Sequence, residues 1–283
     1  MRRRLIPLPA ALALALLAQA CAPRPDPAPS PAPAAPKRVV CASPAVAEIV
    51  FALGCGNRVV AVADFADWPP EAAALPSIGG ALSPNRERIL ALDPDLLLSQ
   101  GKSNALRDFA LSRQIPFLSL PLDSLDDLRT AAAALARALG APDNARALLD
   151  SIDRSIADLP RAQPRRVFVA VGHSPGDLSG ILTAGPGTFL HELVALAGGQ
   201  NVFADVHAPW PAVSRESILR REPERILDFQ PSGLSPENRG RLAADWLKMG
   251  FAPEQVRILA DDALLRPTPR AVPAAAQIAE ALR

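Results

Sequence analysis

Three histidines, three cysteines and one glycine-rich turn carry the strongest intrinsic chemistry in this chain. A neutral imidazole at His173, His191 or His207 is a candidate ligand for an iron or cobalt centre. His173 follows an apolar strand in a loop of Gly, Ser and Pro, and His207 lies just before Pro209-Trp210, so both are expected on ligand-facing loops. His191 falls inside a helical pattern and reads as a partly exposed helix residue. No H-x-x-x-H or H-E-x-x-H string occurs, so no metal site of that kind is expected. No nucleophile elbow, Cys–His arrangement or acid–base carboxylate pair is assigned, and the chain reads as a binder with no catalytic residue. His173 beside Ser174 is the nearest approach to a hydrolytic pair, which keeps an exported α/β hydrolase-like enzyme as the alternative from another class. Gly185-Pro186-Gly187-Thr188 offers unpaired backbone N–H groups to an anion, but reads first as a tight turn with Thr188 as a helix N-cap.

The elements that must position these groups begin after a leader. Residues 1–20 combine Arg2, Arg3 and Arg4, an apolar stretch over 5–17, and Ala18-Gln19-Ala20 ahead of Cys21. That is the pattern of an export signal, and it falls short of the roughly 20 apolar residues that cross a bilayer. Cys21 resembles the lipidated cysteine of a bacterial lipoprotein, although Ala18-Gln19-Ala20 also suits ordinary signal cleavage and a soluble secreted product. Residues 21–36 hold seven prolines and read as an extended tether off a membrane surface. Export makes a Cys41–Cys55 disulfide chemically possible, and two small buried residues is the other reading.

The 283-residue chain has 30 basic and 29 acidic side chains, a formal charge of +1. Without the three leader arginines the balance is 27 against 29, so a nucleic-acid partner is not expected. From residue 37 the pattern is α/β. Strands are expected at 38–42, 59–63, 96–99 and 115–120, with helices at 45–53, 85–91 and 125–139 between and after them. A sustained amphipathic helix covers 142–159, and the alternation then restarts with strands at 166–171, 225–229 and 256–259. Helices follow at 188–197, 215–221, 236–249 and 271–282. This predicts two Rossmann-like lobes with parallel sheets, over 37–140 and 161–283, joined by a single long helix within 141–160. A ligand cleft is expected between the lobes at the carboxyl ends of the strands.

An ordered series of short strings resembles one family. Arg38-Val39-Val40, Ser43-Pro44 and Glu48-Ile49-Val50-Phe51-Ala52-Leu53-Gly54 open it, followed by Asp67-Trp68-Pro69-Pro70 and Asn85-Arg86-Glu87-Arg88-Ile89. The second half continues with Gly185-Pro186-Gly187-Thr188, Gly198-Gly199-Gln200-Asn201-Val202-Phe203 and Trp210-Pro211-Ala212-Val213-Ser214-Arg215-Glu216. The series is similar to the helical-backbone (class III) substrate-binding proteins of ABC importers, which carry cobalamin, haem or ferric siderophores, and most of all to the cobalamin-binding members.

The resemblance implies a monomeric extracytoplasmic receptor, lipid-anchored through Cys21, that hands a corrinoid to an ABC permease and its ATPase; haem or a ferric siderophore is the runner-up cargo. It implies no resident cofactor or metal. Glu87 and Glu216, one on each lobe, are implied as permease-docking acids, since paired charges steer association. Phe65, Trp210, Asp262 and Arg266 are implied as ligand-binding residues, with Ala81 departing from an aromatic position; Trp68 could add to the flat apolar wall, and His173 and His207 are candidate ligand contacts from their loop positions. The chain has no Tyr, so no phenolate can ligate haem iron and the cleft wall falls to Phe and Trp. A helical connector implies a small opening motion.

Overall fold

The computed structural model describes residues 35–80 and 83–283. The leader, Cys21, most of the tether and Ala81 lie outside the described residues. Among the described residues no helix is long and apolar enough to cross a membrane.

The first half folds around β1 (Val39–Cys41), β2 (Val59–Val62), β3 (Gly79–Gly80), β4 (Ser83–Pro84), β5 (Leu96–Gln100) and β6 (Phe117–Leu120). Four of these make a parallel sheet in the order β2-β1-β5-β6, while β3 and β4 form a two-residue antiparallel pair. β1 is buried at every position, as an apolar run covered on both faces must be. Helix Pro44–Ala52 follows it with Pro at the first turn, and Gly54 at φ 69° ends the turn beyond. Ser43 stands at the N-cap, yet its hydroxyl donates across the sheet to Gln100 Oε1 at 2.9 Å instead of capping. β6 starts at Phe117 and not at 115 because Pro116 has no N–H for the ladder. Helix Asn104–Ser112 was not anticipated, although Leu106, Phe109 and Ala110 give it a buried stripe.

The second half contains β7 (Arg165–Val171), β8 (Ile181–Thr183), β9 (Gly199–Asn201), β10 (Ala212–Val213), β11 (Arg225–Gln230) and β12 (Val256–Ala260). Its sheet runs β10-β8-β7-β11-β12, and β9 pairs with the first residues of β7. The α/β class holds, but this sheet is mixed. β8 and β10 are antiparallel, and strands of two or three residues between Gly and Pro have no period to read. The final helical pattern is also divided, into Ala271–Ala274 and Ala276–Ala281. At the junction Ile278 N–H reaches back only three residues to Ala275 O, at 3.0 Å, a tighter turn than the α-helix.

Helix Pro142–Ala157 lies between the two sheets in sequence and packs on Leu125–Ala138 from the first half and Ala271–Ala274 from the second. One buried cluster runs through all of these, from Val39 and Leu98 to Val169 and Phe229, while the outer face of each sheet has its own smaller core. Polar links reinforce the junction. Phe189 N–H donates to Asp123 O at 2.6 Å, and Leu125 N–H, at the start of its helix, donates to Glu192 Oε2 at 2.7 Å.

Candidate ligand-binding site

The loops that follow β2, β11 and β12 meet between the lobes. Phe65, three residues beyond β2, sits at φ 65° and is 80% exposed, an aromatic held on a left-handed turn with almost nothing packed on it. Such a conformation is unfavourable for a bulky residue and tends to be kept where function needs it. Trp68 follows on the same loop, 45% exposed. From the other lobe, Asp262 is fixed by Ser232, its N–H donating to Ser232 Oγ at 3.0 Å and its Oδ1 accepting from Ser232 N–H at 3.3 Å. Asp67, Trp68, Ser232, Asp262 and Arg270 together line a cavity of about 210 Å³. Arg266 crosses between the lobes and donates from Nη1 to Asp67 Oδ1 at 3.0 Å and Glu48 Oε1 at 3.3 Å.

Arg270, which the sequence reading did not single out, makes the strongest link. Its Nε and Nη2 donate to Glu48 Oε2 and Oε1, both at 2.8 Å, a two-point pair with a carboxylate that is almost wholly buried. Its guanidinium carbon lies 4.7 Å from the centre of the Trp68 ring. Burial works against the Arg270 charge, but the hydrogen bonds and field of Glu48, helped by Asp261 and Asp67, outweigh it and raise the pKa above its ordinary value. The available signal was Glu48 itself. A lone acid in the apolar helix Pro-Ala-Val-Ala-Glu-Ile-Val-Phe-Ala must either face water or find a cation.

One of the three histidines departs from expectation. His173 is not a cleft contact: its side chain is completely buried, with Nδ1 2.8 Å from Asp228 Oδ2 and the ring edge-on to Trp246 at 5.0 Å. The apolar neighbourhood of β7 and helix Pro236–Lys248 surrounds the ring, and the carboxylate of Asp228 pairs with its Nδ1, while Nε2 is buried 3.8 Å from Asp245 Oδ2 with no hydrogen-bond partner. Gly172-His173-Ser174-Pro175-Gly176 does fit the G-x-S-x-G string, which the reading of the sequence passed over. No nucleophile elbow forms, because the loop after β7 closes in a Ser174–Asp177 bridge and leads to β8 with no helix following. His191 is half-buried, its Nδ1 3.1 Å from Asn201 Nδ2, and burial lowers its pKa against the opposing field of Glu192. His207 is exposed. Cys41 and Cys55 are free and buried, and burial pushes the Cys41 thiol up to about 12.

A family model described as periplasmic binding protein matches residues 39–228, from the first strand into β11. The chain belongs to the periplasmic binding protein family. As a periplasmic binding protein it is 34% identical over 205 residues to the vitamin B12-binding protein of Pectobacterium atrosepticum, covering 69% of this chain and 72% of that one. It is 32% identical over 257 residues to the vitamin B12-binding protein of Pectobacterium carotovorum, covering 88% and 89%. Among solved structures it matches the periplasmic vitamin B12 binding protein BtuF of Vibrio cholerae with a TM-score of 0.68 at 29% identity, covering 87% and 96%. The periplasmic haem-binding protein RhuT of Roseiflexus sp. RS-1 matches with a TM-score of 0.72 at 26% identity, covering 87% and 97%.

Within this periplasmic binding protein, Glu87 and Glu216 occupy equivalent places. Each is exposed in the first turn of a six-residue helix, Arg86–Ala91 and Arg215–Arg220, capped by Asn85 Oδ1 and Ser214 Oγ respectively. Hydrogen bonds from its own backbone and from Ser214 lower the Glu216 pKa, so that acid also serves its own helix. Trp210 is half-buried and tilted against Phe189 at 6.2 Å. Its loop is pinned to the β8 end by Gly185 N–H donating to Pro209 O at 2.7 Å. A side chain at 185 would strike Ala208 O, so Gly185 serves close backbone approach, while Thr188 Oγ1 caps the helix Phe189–Leu196.

Proposed function

We propose that this protein is an exported, lipid-anchored receptor that captures cobalamin or a related corrinoid between its lobes and delivers it to an ABC permease and its ATPase. The observation that carries the reading is the meeting of an aromatic face, Trp68, with a polar one, Asp262 and the Asp67-bound Arg266, at the cavity between the lobes, in a chain similar over 88% of its length to a vitamin B12-binding protein. Flat apolar surface with a few fixed polar groups is what a large conjugated ring requires. At about 210 Å³ the inter-lobe cavity is smaller than the roughly 300–1,000 Å³ of ordinary small-molecule sites, so entry of a corrinoid exchanges the Arg266–Asp67 contact for ligand. Trp210 and His207 complete the wall from the second lobe, and Glu87 and Glu216 dock the loaded receptor. Cys21 carries the lipid, with 1–20 removed as the export signal and 21–36 acting as the tether between that anchor and the lobes over 37–140 and 161–283.

Haem is the second reading, favoured by the likeness to the haem-binding RhuT, and His207 is the exposed histidine available to iron among the described residues. Catalysis is not part of the proposal, since the His173–Asp228 pair is sealed in the core. Titration of the intrinsic Trp fluorescence with cyanocobalamin, cobinamide, haemin and ferric siderophores tests both readings. Tight quenching by the corrinoids is expected; a response to haemin alone selects the second reading, and no response to any of them overturns the receptor assignment.

A further inference from the structure

We propose that Arg270 is a positioning residue for Trp68, holding the indole as a one-sided stacking platform from across the lobe interface. The inference rests on the receptor reading above and adds a residue to it. Trp68 belongs to the loop after β2, whereas Arg270 follows β12, so the two approach from opposite lobes. The guanidinium covers one face of the ring at 4.7 Å, and Trp68 as a residue is still 45% exposed, which leaves the opposite face as the open one. Trp68 and Arg270 are shared by two hollows: the 210 Å³ cavity with Asp67, Ser232 and Asp262, and a groove of about 740 Å³ with Phe51, Leu75 and Pro269. The stacked pair is thus the partition between them, and a free indole would have room to rotate toward either side.

What fixes the partition is Glu48. Because its carboxylate is nearly inaccessible to water and takes both Nε and Nη2 of Arg270, the guanidinium plane has one orientation, and the indole resting on it inherits that orientation. A lysine has no plane to transmit in this way. A ring already held in place loses less freedom when a ligand stacks on it, which is the benefit of preorganisation. The same pair makes Trp68 report on the lobe interface, since moving Arg270 away removes the backing.

The test is a double-mutant cycle on cyanocobalamin binding with Arg270→Gln, Trp68→Ala and the double variant, plus Arg270→Lys to keep a cation beside Glu48 should the Gln variant fold poorly. Arg270→Gln is expected to weaken binding about tenfold where Trp68 is present and less than about twofold where it is absent, with Arg270→Lys giving a partial loss. Equal losses in both backgrounds, or none in either, would overturn the positioning role. A second readout needs no ligand. In a Trp210→Phe background Trp246 is fully buried and Trp68 dominates acrylamide quenching. Arg270→Gln is expected to raise its quenching constant severalfold, and an unchanged constant would sink the proposal. If the parent protein binds no cyanocobalamin, the receptor reading fails while the quenching result still decides the role of Arg270.

Discussion

His173 and Asp228 form a hydrogen-bonded pair, Nδ1 to Oδ2 at 2.8 Å, with neither side chain accessible to water. Asp228 also accepts from Trp246 Nε1 at 2.8 Å through Oδ2 and from Gln230 Nε2 at 2.7 Å through Oδ1, so three donors converge on one buried carboxylate. Gln230 in turn donates to His173 O at 2.9 Å, tying the start of the loop after β7 to the end of β11.

Removing the carboxylate strands His173 Nδ1 and Trp246 Nε1 and leaves the Gln230 amide with only His173 O. Asp228→Ala is expected to destabilise the fold by on the order of 3 kcal/mol, since buried polar groups without partners cost far more than a lost surface contact. Urea unfolding measures it. Cyanocobalamin affinity of the folded fraction should be retained, and a stable variant that cannot bind would instead give His173 and Asp228 a direct ligand role.

Phe65 makes a different demand. At φ 65° a phenylalanine is strained and a glycine is not, so Phe65→Gly should unfold at the same temperature as the parent or slightly above it. The same change removes an exposed aromatic three residues before Trp68 on the same loop and is expected to weaken cyanocobalamin binding about tenfold. Unchanged affinity would remove Phe65 from the site.

The acid limb of stability should trace partly to Asp245. Burial alone would raise its pKa, but Gly176 N–H at 2.5 Å and Lys248 Nζ at 3.2 Å outweigh burial and bring it below the ordinary carboxylate value. A depressed folded pKa means the stabilisation is complete above the unfolded value of about 3.9 and is lost as pH falls through the folded one. Thermal melts from pH 6 down to 3 should show the parent losing stability below about pH 4. In Asp245→Asn that decline should be shallower, from a lower starting point.

Glu87 and Glu216 are exposed and outside the cleft lining, so their replacement separates docking from capture. Glu87→Ala with Glu216→Ala should leave cyanocobalamin affinity within about twofold and sharply reduce ligand-dependent stimulation of the permease ATPase in reconstituted vesicles. Full stimulation by the double variant would show that these acids only serve their helices.

Much of this protein is written locally. The alternation of apolar runs and amphipathic stretches, the N-cap at Thr188 and the proline-started helices at Pro44, Pro142 and Pro236 are fixed by neighbours within a few residues, where periodicity and capping are legible. The exposed aromatics Phe65 and Trp68 were recognisable because their loop resembles a known series. Tertiary structure alone decided that the second sheet is mixed, because the two- and three-residue strands β8 and β10 exist only through the partners they find. It also sent His173 into the core and brought Arg270 to Glu48 across 222 residues. Charge and hydropathy along a chain show which groups need a partner. Which partner they get depends on distances that close only when both lobes are folded.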